Sequence, residues 1–131
     1  AYVAERVVKL MTQKRIHVAG SNVLIMGLTF KENCPDLRNT RVVDVIEEFK
    51  GYHANVDVYD PWVDAQEARH EYGLTPVKEP KAGQYDAIIL AVSHHQFLEL
   101  GTAKIRAFGK PDCVLFDVKY VLPESEVDGR L

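Results

Sequence analysis

Apolar residues recur along this chain with two periods. Over residues 2–11, Val3, Val7, Leu10 and Met11 fall on one helical face, and no capping residue precedes them, so the chain is expected to begin inside a helix that started upstream. Residues 12–21 mix polar and basic side chains with Gly20 and read as a solvent-facing connector. Residues 22–26 (NVLIM) are a short apolar run of the type buried on both faces of a parallel sheet, and Gly27 permits a sharp turn at its carboxyl end. Val42, Val45, Ile46 and Phe49 then keep helical spacing, with Gly51 as a stop. Residues 55–59 (NVDVY) alternate as a second strand, and Asp60 reads as the cap, Pro61 as the first turn, of a short charged helix over 63–72. Residues 74–77 predict a brief edge strand that tolerates Pro76. Residues 85–92 (YDAIILAV) are the most apolar stretch and predict a central strand ending in Ser93-His94-His95. A helical stretch to about residue 108, broken near Gly101, leads to a turn at Gly109-Lys110-Pro111 and a last clear strand at 113–116. The tail from Pro123 reads as one helical turn that then frays.

Strand and helix alternating through short links imply right-handed crossovers and a doubly wound parallel sheet, whose carboxyl edge collects Lys31, His94 and Lys119. Ligands sit at that edge in open α/β sheets. The loop after the first strand, GLTFKENCPDLRNTR, supplies Lys31, Asp36, Arg38 and Arg41, with either Asn39 or Thr40 able to cap the next helix. A helix amino terminus beside cations suits a phosphate.

Composition narrows the classes. With 131 residues, 47% apolar and 27% charged, the chain is one ordinary globular domain. A net charge of -3 argues against a general nucleic-acid or anionic-membrane binder. No run approaches the roughly 20 apolar residues that span a bilayer, and two cysteines make no disulfide framework, so the expected location is the cytoplasm. No His, Cys or carboxylate spacing points to a metal. An acidic residue after the second strand can bind a ribose, but no GxGxxG follows the first strand, which favours the capping role for Asp60.

The string GLTFKENCPDLRNT resembles the motif that opens the C-terminal domain of the UDP-glucose/GDP-mannose dehydrogenase family, in particular the branch oxidising UDP-N-acetylhexosamines, including the Vi-polysaccharide type. The resemblance extends over residues 2–122. It implies a Rossmann-like doubly wound three-layer sandwich with a mostly parallel five-stranded sheet of order 3-2-1-4-5. Residues 1–20 would be the end of a linking helix and its connector, and residues 21–131 the nucleotide-sugar-binding domain.

It further implies an NAD-dependent enzyme taking a UDP-N-acetylhexosamine to the uronate for a bacterial surface or capsular polysaccharide. The NAD fold and the catalytic cysteine would lie upstream, leaving this chain inactive alone and the whole enzyme a homodimer or larger. Phe30-Lys31 matches the family's Phe-Lys, which implies substrate contacts from both and a catalytic role for Lys31. Asp36-Leu37-Arg38 matches its Asp-x-Arg and implies Arg38 on the cofactor side. Lys119 stands where many relatives have an arginine and is expected on the substrate side. His94 matches a histidine of this branch and is expected to be a structural hydrogen-bonding group. Cys34 is read as a loop thiol and Cys113 as a core one.

The alternative is a stand-alone flavodoxin-like or receiver-like module. A receiver needs an acidic cluster at its strand ends, where this chain has GLTFK and SHHQ. A purely structural assembly domain would leave the loop cations without a ligand.

Overall fold

A computed structural model describes residues 2–131. Alternate residues of its strands enter two apolar layers, because successive side chains of a strand point to opposite faces of the sheet. Val23, Ile25, Ala87, Ile89, Val114 and Phe116 face one way, where they pack with helices α1 (Tyr2–Gln13) and α2 (Val42–Gly51). Leu24, Met26, Ile88, Leu90 and Leu115 face the other way, against Phe97 and Ile105 of α4 (His95–Arg106). A third helix, α3 (Ala65–Tyr72), contributes Ala68 to the first layer. The result is the expected three-layer α/β sandwich.

The strands are β1 (Asn22–Met26), β2 (Asn55–Tyr59), β3 (Tyr85–Leu90), β4 (Gly109–Asp117) and β5 (Gly129–Arg130), in the spatial order β2-β1-β3-β4-β5 and parallel at every pairing. Four of the five strands and their order are those expected from the sequence. The fifth differs. Residues 74–77 do not form an edge strand: Pro76 has no amide to donate, and Val77 N–H to the Val58 carbonyl (2.8 Å) is one bond and no ladder. The edge strand lies instead in the tail, on the far side of the sheet, where fraying was expected. There Asp128 accepts from Leu115 N–H (2.8 Å) and pairs with Lys14 (3.0 Å) and Arg106 (3.2 Å), which ties a polar segment to the sheet. Burial pushes the Asp128 carboxyl up, but these hydrogen bonds and cations outweigh it and hold it below the usual carboxylate range.

Smaller differences have equally local causes. The strand at 113–116 begins earlier, at Gly109, across an irregularity opposite residues 85–87. Asp64, not Asp60, caps the third helix, accepting from Gln66 and Glu67 N–H. Gly101 breaks α4 as expected, with φ 77° and ψ 169°. Thr40 rather than Asn39 serves the start of α2, accepting from Val42 N–H at 3.2 Å.

Gly27 ends β1 with φ 106°, and a Cβ there would lie 2.7 Å from Val92 Cβ and 2.8 Å from Val92 N. The turn that aims the next loop therefore needs glycine both for its backbone angle and for the close approach of the chain beyond β3. Gly27→Ala is expected to cost about 2–3 kcal/mol through strain and overpacking, read as a lower urea midpoint.

Candidate ligand site at the carboxyl edge of the sheet

Beyond β1 the chain forms a tight loop closed by Phe30 N–H donating to the Asp36 carbonyl (2.8 Å). Thr29 Oγ–H donates to the Lys31 carbonyl (3.0 Å), and both residues at the loop's crest, Phe30 and Lys31, are exposed. An aromatic ring 54% exposed is unusual enough to ask what covers it. Phe30 lies on the rim of a cavity of about 290 Å³. Thr40, Arg41 and Val45 line its α2 side, and Val118 and Lys119 line it beyond β4. The amino end of α2 thus opens onto this cavity, flanked by one arginine and one lysine.

Lys119 is set by the turn after β4. Asp117, fully buried, accepts from the backbone N–H groups of Lys119 (3.3 Å), Val121 (3.0 Å) and Leu122 (2.8 Å). Tyr120 adopts φ 58°, which folds the turn back and leaves Lys119 exposed at the rim.

Arg38 lies farther along the loop, with its side chain 82% exposed. Its Nε and Nη2 donate to the two oxygens of Asp36 (3.0 and 3.2 Å), and those hydrogen bonds hold the Asp36 carboxyl below its usual range. The other edge of the guanidinium faces away from this pair, and neither Arg38 nor Lys31 lines the 290 Å³ cavity. The sequence-expected residues therefore split, with Phe30 and Lys119 on the cavity wall and Lys31 and Arg38 on the exposed loop beside it.

Beneath the loop lies a polar network that the sequence only half disclosed. Asp60 Oδ2 accepts from Leu28 N–H (2.7 Å), Thr29 N–H (3.1 Å) and His94 Nε2 (2.9 Å), while Oδ1 accepts from Trp62 N–H (2.8 Å). Burial pushes the Asp60 carboxyl up, but the His94 and backbone hydrogen bonds prevail and hold it below the usual carboxylate range. His94 is fully buried and is the hydrogen-bonding group expected of it. Asp60 and Asp117 are the two residues whose role was missed. Their signal was available: each is an acid at the carboxyl end of a strand, where a turn leaves several backbone N–H groups to satisfy.

Cys113 is buried and its thiol is pushed up by that burial, the reverse of an activated nucleophile. No group of three or more His, Cys, Asp or Glu among the described residues is placed to hold a metal ion. No helix among them is long and apolar enough to cross a membrane. A cleft of about 560 Å³ opens at the opposite, amino edge of the sheet between Lys14, Arg15 and Lys110, away from the loop.

The chain is 57% identical over 130 residues to the UDP-N-acetyl-D-glucosamine 6-dehydrogenase of Salmonella typhi, covering 99% of this chain and 31% of that enzyme. It is 57% identical over 131 residues to the enzyme of the same name from Pseudomonas aeruginosa, covering 100% and 31%. The chain thus spans about a third of the curated relatives it matches. Among solved structures, the NDP-N-acetyl-D-galactosaminuronic acid dehydrogenase of Methanosarcina mazei Go1 superposes with a TM-score of 0.82 over 98% of this chain and 28% of that one, at 21% identity, and so shares the fold. Residues 24–124 match the UDP binding domain of a family defined by UDP-glucose and GDP-mannose dehydrogenases. The end of β1, the loop, both buried acids and Lys119 all fall inside that match, and the chain belongs to the UDP-glucose/GDP-mannose dehydrogenase family as its UDP binding domain.

Proposed function

We propose that this chain is the C-terminal, UDP-sugar-binding part of an NAD-dependent UDP-N-acetylhexosamine 6-dehydrogenase. Residues 21–131 form the domain, and residues 1–20 bring in the end of the linking helix. What supports this most is the 57% identity that extends through the whole chain to two bacterial UDP-N-acetyl-D-glucosamine 6-dehydrogenases. The full enzyme would take the C6 alcohol to a carboxylate through two hydride transfers, giving a UDP-hexosaminuronate for a surface polysaccharide of the Vi or capsular type. It would work in the cytoplasm as a homodimer or larger assembly.

In this reading the UDP portion lies over the carboxyl edge of the sheet. Phe30 offers an apolar face to the nucleotide, and Lys119 offers a cation at the cavity rim. The amino end of α2 is suited to an anion, because its first backbone N–H groups are unpaired within the helix and carry the positive end of the dipole. Lys31, on the loop beside the cavity, would face the sugar and stabilise negative charge as it develops on the oxygen bound to the reacting C6. NAD supplies the hydride acceptor. Arg38 suits a pyrophosphate on it: Asp36 holds one edge of the guanidinium still, and the exposed other edge can donate in pairs. The cofactor fold and the nucleophilic cysteine would come from the rest of the polypeptide.

Calorimetry tests the binding half directly. UDP is expected to bind this chain with a dissociation constant on the order of 0.1–1 mM, since half the pocket and its preorganisation are missing. The chain with NAD and UDP-N-acetylglucosamine should form no NADH. Absence of heat at millimolar UDP, or NADH formed by the pure chain, would each contradict the reading.

A further inference from the structure

The loop that carries Phe30 and Lys31 hangs on one side chain, His94. Asn33 N–H donates to its Nδ1 (3.0 Å), so Nδ1 presents a lone pair and the imidazole is neutral with its proton on Nε2. That proton is shared between Asp60 Oδ2 (2.9 Å) and Thr29 Oγ (3.2 Å), whose own hydrogen is already given to the Lys31 carbonyl. Asn33 in turn accepts at Oδ1 from His95 N–H (2.9 Å), at the start of α4, and adopts φ 54°, in the left-handed region that asparagine enters more readily than most non-glycine residues. Phe97, with its ring centroid 5.4 Å from that of His94, and Trp62, at 6.3 Å, enclose the imidazole on two sides. The Trp62 indole N–H is itself fixed to Gln96 (3.0 Å). Every polar atom of the imidazole is therefore spent on the segment from Leu28 to Asn33 or on the acid that anchors its first two amides.

We propose that Asp60 and His94 are the positioning pair of the ligand loop, holding Phe30 and Lys31 in binding geometry through the neutral Nε2–H imidazole that bridges Asp60 to Asn33. The proposal deepens the reading above and rests on it for the identity of the ligand. Neither residue touches the ligand. Their effect is to remove the entropy that an exposed, polar loop would otherwise lose on binding. A buried imidazole is used because one ring supplies a donor and an acceptor about 2 Å apart in opposed directions, with no rotamer freedom beyond its packing. A glutamine amide has the same donor and acceptor on a longer stem, whereas a phenylalanine has the shape and neither group.

The test compares the wild-type chain, His94→Gln, His94→Phe and Ile105→Val, the last thinning the opposite apolar layer far from the loop. All are studied at a temperature where circular dichroism shows them folded. His94→Phe should speed hydrogen exchange at the Asn33 amide and weaken UDP binding, each about tenfold, the size of one lost hydrogen bond. His94→Gln should restore both to within about threefold. Ile105→Val should lower the melting temperature with UDP affinity unchanged. In wild type, long-range 15N correlation spectra should show a single Nε2–H tautomer for His94.

An Nδ1–H tautomer, or an Asn33 amide exchanging as fast as an open loop in wild type, would overturn the proposal even if His94→Phe fails to fold. So would a folded His94→Phe chain with normal UDP affinity. Failure of the wild-type chain to bind UDP would instead sink the functional reading, with the clamp then judged on tautomer and exchange alone.

Discussion

Asp60→Ala is expected to lower the unfolding free energy by about 3–5 kcal/mol, the cost of breaking a buried charged hub rather than of losing one contact. The carboxylate accepts four hydrogen bonds from three parts of the chain: Leu28 and Thr29 after β1, Trp62 after β2, and His94 after β3. Alanine leaves the Leu28, Thr29 and Trp62 amides without their partner in a buried site, and leaves His94 Nε2 with Thr29 Oγ alone. Asparagine would lose less, since its carbonyl could stand at the Oδ2 position for three of the donors, but its amide nitrogen would then meet the Trp62 N–H and the charge would be gone. Acid should reproduce part of the effect. The folded-state value lies below the ordinary 3.8, so this contribution is complete above that pH and is lost as pH falls through the folded value. Urea midpoints measured at neutral pH and again below pH 4 check both statements. A loss under about 1 kcal/mol would mean the network is not what holds the strand ends together.

In the full-length enzyme, Lys31→Ala is expected to reduce turnover about a hundredfold, the usual cost of deleting one donor to charge that develops in the transition state. Its side chain is exposed on the loop crest, and the loop is held by backbone and by residues beneath it. The melting temperature should therefore hardly move, as surface substitutions stay within about 0.5 kcal/mol. Ile46→Ala, on the buried face of α2 and off the cavity wall, should show the reverse pattern of lost stability and retained chemistry in the folded fraction. Near-normal turnover in Lys31→Ala would remove the loop from the active site. Unfolding as ready as that of Ile46→Ala would make Lys31 a structural residue instead.

The sequence carried the architecture wherever burial wrote a period into it. Residues 22–26 and 85–90 are apolar on both faces and became inner strands, and Val42, Ile46 and Phe49 gave α2 its buried stripe. It failed at the sheet's margins, where pairing is set by tertiary partners. Residues 74–77 had strand-like composition but no neighbour to ladder with, while Gly129–Arg130 looked disordered until Asp128 met Lys14 and Arg106. At the site, motif matching located the loop and its cations but not what organises them. Asp60 reads as a helix cap in the sequence because Pro61 signals a helix starting at once. A turn intervenes, Asp64 takes the capping role, and Asp60 is free to serve residues far away in the chain.

The most direct measurement is a 1H-15N correlation spectrum of this chain titrated with UDP. The two candidate surfaces lie at opposite edges of one sheet, so the spectrum separates them without ambiguity. UDP should shift the amides of Phe30, Lys31, Arg41 and Lys119 in a saturable way, with those of Arg15 and Lys110 at the amino-edge cleft left in place. Shifts gathered around Arg15 and Lys110, or none at any accessible UDP concentration, would contradict the placement of the nucleotide over the loop.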